Sequence, residues 1–67
     1  MDLAYLNDKI RDIGISKTVI AEKMGISRQT LHIKLEGQRD FKSSEVNMLC
    51  DVLRLTDEEK EHIFFAS

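Results

Sequence analysis

The chain has 67 residues, with ten Lys and Arg against twelve Asp and Glu, a formal net charge of −2 and a pI of about 5.6. This length predicts one domain, 1–67, and a composition of 42% hydrophobic and 33% charged residues favours a folded globular chain. The longest apolar run is 63–66 and the start lacks a signal-peptide pattern, so we expect no membrane span and a cytoplasmic protein. One cysteine excludes an internal disulfide, and no cysteine and histidine residues have metal-ligand spacing.

Five segments carry apolar residues at spacings of three and four, which predicts five short helices joined by tight turns. The first segment, 2–13, has the inner face Leu3, Leu6, Ile10 and Ile13. The second, 17–24, has the inner residues Ile20, Ala21 and Met24, and the third, 28–36, has the apolar stripe Leu31 and Leu35. A candidate N-cap precedes each of them: Asp2, Ser16 and Ser27.

The fourth helix is predicted to begin at Ser43 or Ser44 and to bury Val46, Leu49, Cys50 and Leu53, with Cys50 as a small core residue. The fifth opens with a capping box formed by Thr56 and Glu59 and continues to about Phe65. The acidic residues in 57–61 admit a metal site, but a helix cap with a solvated face is the commoner meaning of that pattern. His62 has no acidic or thiol partner at a useful offset, so we interpret it as a surface residue.

Residues 17–34 carry the pattern that points to function. Ala21 is small where two helices would touch, Gly25 lies at the turn, and Ile26 and Leu31 follow as inward apolar residues. These offsets predict a helix-turn-helix formed by helices 2 and 3. Residues 20–31 resemble the Cro/phage-repressor (XRE-like) family, and the continuation Lys34-Leu35-Glu36-Gly37, followed by 41, 44–46, 55–59 and 63–65, resembles a small phage-encoded subgroup of it.

The resemblance implies an all-α, compact five-helix lambda-repressor-like domain whose third helix enters the major groove of DNA. On a helical wheel, the side of helix 3 opposite Leu31 and Leu35 supplies the expected base contacts, which are Arg28, Gln29, Thr30, His32 and Ile33. The expected phosphate contacts are Ser16, Lys17, Ser27, Lys34, Arg39, Lys42 and Ser43. Alternatives stay open for five of the expected base and phosphate contacts: Arg28 and Gln29 as ordinary solvated residues, His32 as a merely exposed side chain, Lys34 as a solvated one, and Ile33 as a packing residue if helix 3 is rotated.

These features predict a sequence-specific transcriptional regulator, a Cro-like phage or prophage repressor that binds double-stranded operator DNA as a homodimer. The alternative is an antirepressor or modulator of the same fold that binds a partner repressor. Phe64 and Phe65 are adjacent, so one can close the core while the other marks a possible dimer contact. We expect no enzymatic activity, cofactor, metal or small-molecule ligand. The charge is unevenly distributed, with a net +3 over 16–42 and −4 over 43–67.

Overall fold

The computed structural model describes residues 1–65, and over this range the chain forms five α-helices. They are α1 (Leu3–Ile13), α2 (Lys17–Met24), α3 (Arg28–Leu35), α4 (Ser43–Leu53) and α5 (Asp57–Lys60). α5 continues directly into a π-helical turn, Glu61–Phe65. Residues 1–65 contain no strand, so the predicted all-α class and the helix count are confirmed. α2 packs against both α3 and α4, and the π-helical turn packs against α1.

Side-chain caps set the starts of four helices. The Asp2 carboxylate accepts a hydrogen bond from the Tyr5 amide, and the hydroxyls of Ser16 and Ser27 accept in the same way at α2 and α3. At α5 the Glu59 amide donates to the Thr56 hydroxyl, and the Glu59 carboxylate accepts from the Thr56 amide. These bonds satisfy amide groups that a helix leaves unpaired at its first turn, and they confirm the predicted caps.

Three helices end in the same hydrogen-bond pattern, the Schellman motif. At the end of α2 the Ile26 amide donates to the Ala21 carbonyl at 3.0 Å and the Gly25 amide donates to Glu22 at 3.2 Å. Gly25 has a φ of +73°, a conformation that costs glycine little because it has no Cβ. At the end of α4 the corresponding left-handed position is occupied by Arg54, with a φ of +52°.

The core consists of apolar side chains from every helix except the short α5, closed by the π-helical turn. The buried members are Leu6, Ile10, Ile20, Ala21, Met24, Leu31, Leu35, Leu49, Leu53 and Ile63. Cys50 is also buried, as predicted, and burial raises the pKa of its thiol, which keeps the thiol protonated. Ile13 is an error of the sequence prediction: it is the last residue of α1, and 44% of its surface stays exposed at the edge of the core. Val46 is only half-buried, because it lies at the rim of a surface groove.

The start of α1 is fastened to the π-helical turn. The Asp2 amide donates to the Ile63 carbonyl at 2.7 Å, and His62 Nε2 lies 3.2 Å from the second carboxylate oxygen of Asp2. The rings of His62 and Tyr5 are in contact, with centroids 4.2 Å apart. His62 is exposed, as predicted, but the expectation that it has no acidic partner was wrong, because that partner comes from the opposite end of the chain.

Candidate nucleic-acid interface

The two sides of α3 differ sharply in exposure. Leu31, Lys34 and Leu35 are each at most 4% exposed and occupy about 100° of the helical wheel. The five predicted base-contact residues all lie outside that arc: Arg28, Gln29 and His32 are exposed, while Thr30 and Ile33 are half-buried. The exposure predicted for Arg28, Gln29 and His32 is thus confirmed, including the placement of Gln29 opposite Leu31, and contact of the five residues with DNA stays a prediction.

The first turn of α3 is held by two linked hydroxyls. Ser27 Oγ accepts from the Thr30 amide at 3.0 Å, and its own proton is donated to Thr30 Oγ1 at 2.8 Å. The two hydroxyls share one hydrogen bond, so one of their two protons remains available to donate to a base edge or a phosphate.

Lys34 is the main correction to the predicted site. Its side chain turns inward, is 4% exposed, and forms an ion pair with Glu45 at the start of α4. An ammonium in this position cannot reach a phosphate, so both the phosphate role and the solvated alternative are wrong for Lys34. The physical reason is the helical spacing, because position 34 lies on the same side of α3 as Leu31 and Leu35.

Glu45 connects α3 with the segment that precedes α4. The same carboxylate oxygen that pairs with Lys34 also accepts a hydrogen bond from the Lys42 amide at 2.8 Å. These bonds from Lys34 and Lys42 hold the pKa of Glu45 below its ordinary value of 4.5. Glu45 is 6% exposed, and no buried side-chain nitrogen or oxygen in residues 1–65 lacks a hydrogen-bond partner.

Sequence reasoning missed Glu45, although a signal was present. Glu45 is the third residue of α4 and bonds back to the Lys42 amide, which is the geometry that Glu59 has at the start of α5. A second missed residue is Asn7 on α1. Its side-chain amide donates to the Leu3 carbonyl at 2.8 Å and to the Leu35 carbonyl at 3.3 Å, so it ties α1 to the last turn of α3.

The remaining predicted phosphate contacts lie at two places beside α3. Ser16 and Lys17 stand at the start of α2, where Lys17 lines a shallow cavity together with Asn7 and Arg11 of α1. The second group, Arg39, Lys42 and Ser43, is exposed and lies between the end of α3 and the first residue of α4.

An apolar groove occupies a different part of the surface, between α4 and the π-helical turn. It is lined by Met1, Ser43, Val46, Asn47, Phe64 and Phe65. Phe64 is half-buried against the core, whereas 68% of Phe65 is exposed. The prediction that only one of the two phenylalanines packs into the core is therefore confirmed, and their role as a dimer contact stays a prediction.

One acidic residue of α5, Glu59, has structural partners. Glu59 caps the helix and forms an ion pair with Lys9 of α1, and these bonds lower the pKa of the Glu59 carboxyl. Within residues 1–65, no group of three or more His, Cys, Asp or Glu side chains could hold a metal ion.

None of the helices in residues 1–65 has the length and apolarity that a bilayer crossing requires. Comparison with family models, curated proteins and solved structures gives no match to this chain.

Proposed function

We propose that this protein is a sequence-specific DNA-binding transcriptional regulator, Cro-like in type, that binds operator DNA with α3 as the recognition helix of a helix-turn-helix formed with α2. The observation that carries the proposal is the two-sided character of α3. Its inner side is fixed by buried residues, and its outer side presents Arg28 and Gln29, which are exposed in the first turn. The N-terminal residues of a recognition helix are those that contact base edges.

The outer side chains have the chemistry that base recognition requires. An arginine can donate two hydrogen bonds to guanine, and a glutamine can pair bidentately with adenine. Ile33 is half-buried and has a methyl surface that can pack against thymine. Each good bidentate pair discriminates against a wrong base by about 1–3 kcal/mol. Arg28 and Gln29 are therefore the proposed principal specificity residues.

The charge distribution also favours DNA binding by the segment that contains α2 and α3. With the internally paired Lys34 set aside, residues 16–42 still contribute five basic groups against three acidic ones. Residues 43–67, with Glu45 set aside, contribute two basic groups against five acidic ones. Because DNA affinity depends strongly on phosphate neutralisation, this modest surplus favours weak non-specific binding and a large contribution from base contacts and from a homodimer on two half-sites.

Two substitutions separate base contacts from phosphate contacts. Gln29→Ala should weaken binding to the preferred duplex by about 1–3 kcal/mol and relax the preference at one base pair. Lys17→Ala should weaken binding to all sequences alike and reduce the dependence of log K on log salt by about one. The matched control is Lys60→Ala, because Lys60 is also a half-buried lysine but lies on α5 in the acidic part of the chain. A Gln29→Ala protein with an unchanged base preference would refute the assigned face.

The apolar groove favours a second candidate function, an antirepressor or modulator that binds a repressor protein. Phe65 is the most exposed large apolar residue of the groove, and exposed aromatic side chains are common anchors of protein interfaces. Such a protein would bind DNA weakly by itself and would form a stable complex with its repressor. Calorimetric titration of the protein with DNA, and then with a repressor encoded by a neighbouring gene, distinguishes the two candidates.

A further inference from the structure

We propose that Lys34 and Glu45 are positioning residues that fix the rotation of α3 about its axis and thereby determine which side chains reach DNA. This inference rests on the DNA-binding function proposed above. Neither residue faces solvent, so neither can contact DNA directly. Their effect on recognition would be exerted entirely through the orientation of α3 relative to α4.

The geometry of the pair ties three backbone elements together. Lys34 extends from the inner side of α3, and Glu45 lies in the first turn of α4. A single Glu45 oxygen accepts from both the Lys34 ammonium and the Lys42 amide. The rotation of α3 is therefore linked to the backbone position of the Lys42–Ser43 junction, which carries expected phosphate contacts. A rotation of α3 would disturb base contacts and phosphate contacts together.

The chemistry of the pair penalises the neighbouring rotation of α3. Lys34 lies at one edge of the buried arc of α3, so a rotation of about 40° away from Leu35 would carry Lys34 toward solvent while Leu31 and Leu35 stay inside. Both leucines stay in the buried arc after this smaller rotation, so apolar packing alone discriminates only weakly against it. It would, however, leave the Glu45 carboxylate buried without its cation, which is strongly unfavourable. A buried ion pair can in this way select one of two arrangements that apolar packing would admit.

The test replaces the pair with apolar side chains of similar length, Lys34→Met together with Glu45→Met. The readouts are the ratio of affinities for a selected duplex and a scrambled one, and amide hydrogen exchange along α3. We expect the double variant to fold and to lose less affinity for the scrambled duplex than for the selected one, because only the selected duplex offers matched base contacts. The affinity ratio should fall about tenfold or more, which is the order lost when one base contact is misplaced. The α3 amides should exchange faster or show two sets of resonances.

A second double variant, Asp8→Asn with Arg11→Met, is the matched control because that ion pair lies on the exposed side of α1. Its affinity ratio and its α3 exchange should equal those of the wild type. An unchanged ratio and unchanged α3 exchange in the Lys34/Glu45 double variant would overturn the inference.

If that double variant fails to fold, Lys34→Gln together with Glu45→Gln gives the decision, because the amide oxygen at position 45 can still accept from Lys42 and no buried charge is left unpaired. A reduced ratio in this folded variant supports the inference, and an unchanged ratio overturns it. The outcome for the proposed function is separate. A wild-type protein that prefers no duplex sequence would refute DNA recognition, and the exchange measurement would still decide whether the pair locks α3.

Discussion

The ion pair between Lys34 and Glu45 should respond asymmetrically to single and double substitution. Lys34 is only 4% exposed in the wild-type protein, and Glu45→Gln leaves its ammonium group opposite a neutral amide. Breaking a buried pair from one side costs about 3–5 kcal/mol. A 67-residue chain has roughly 3–10 kcal/mol of stability at about 0.05–0.15 kcal/mol per residue, so this single change should remove much of it. The Lys34→Met/Glu45→Met variant should instead lose only about 1 kcal/mol, the order of the single bond that Glu45 accepts from the Lys42 amide, because it leaves no buried charge unpaired.

Urea denaturation at neutral pH, followed by far-UV circular dichroism, measures these differences. The exposed pair between Asp8 and Arg11, whose side chains are 62% and 75% exposed, serves as the control. Asp8→Asn should change the free energy of unfolding by no more than about 1 kcal/mol, as is usual for surface pairs. If Glu45→Gln costs no more than Asp8→Asn, or if the double variant is less stable than Glu45→Gln, the role assigned to the buried pair is refuted.

Three further predictions concern helix ends and pH. Arg54→Gly should raise the free energy of unfolding by about 0.5–1 kcal/mol in urea titrations, because it relieves a left-handed conformation at the end of α4; a loss of stability would contradict this reading. Ser27→Ala should lower thermal stability by about 1 kcal/mol while Ser27→Asp keeps it, since both serine and aspartate cap α3; equal losses in the two variants would exclude the cap. Hydrogen bonds lower the pKa values of Glu45 and Glu59, so near these values the folded state binds fewer protons than the unfolded state. The stability that these two carboxylates contribute should therefore be present above pH 4.5 and be lost as the pH falls through their folded-state pKa values. Glu59→Gln should make the free energy of unfolding depend less steeply on pH in acid titrations, and an unchanged slope would show that Glu59 does not contribute.

Local signals in the sequence predicted the framework of the fold. The capping residues Asp2, Ser16, Ser27 and Thr56 each act on an amide within three residues of themselves, so short-range rules were enough to find them. The apolar periodicity of α2 and α3 identified their buried sides for the same reason.

Contacts between distant segments were not predictable in this way. Lys34 is charged, and a rule that places charged residues outside fails when the counter-charge comes from Glu45, eleven positions along the chain. The contact of His62 with Asp2 joins the two ends of the fold and leaves no local pattern. For the candidate site, the outer side of α3 could be predicted from helical geometry. The ion pair between Lys34 and Glu45 could not, because it depends on how α3 and α4 pack together.

Sequence-specific recognition of DNA by α3 can be measured by selecting duplexes from a random DNA library with the wild-type protein and then determining affinities at two salt concentrations. We expect enrichment of a defined, pseudo-palindromic sequence. We also expect a preference over scrambled DNA that Gln29→Ala reduces, and a log K that falls with log salt by about 0.9 for each phosphate neutralised. A library that emerges without an enriched sequence, or a preference that Gln29→Ala leaves intact, would contradict recognition of DNA through the outer side of α3.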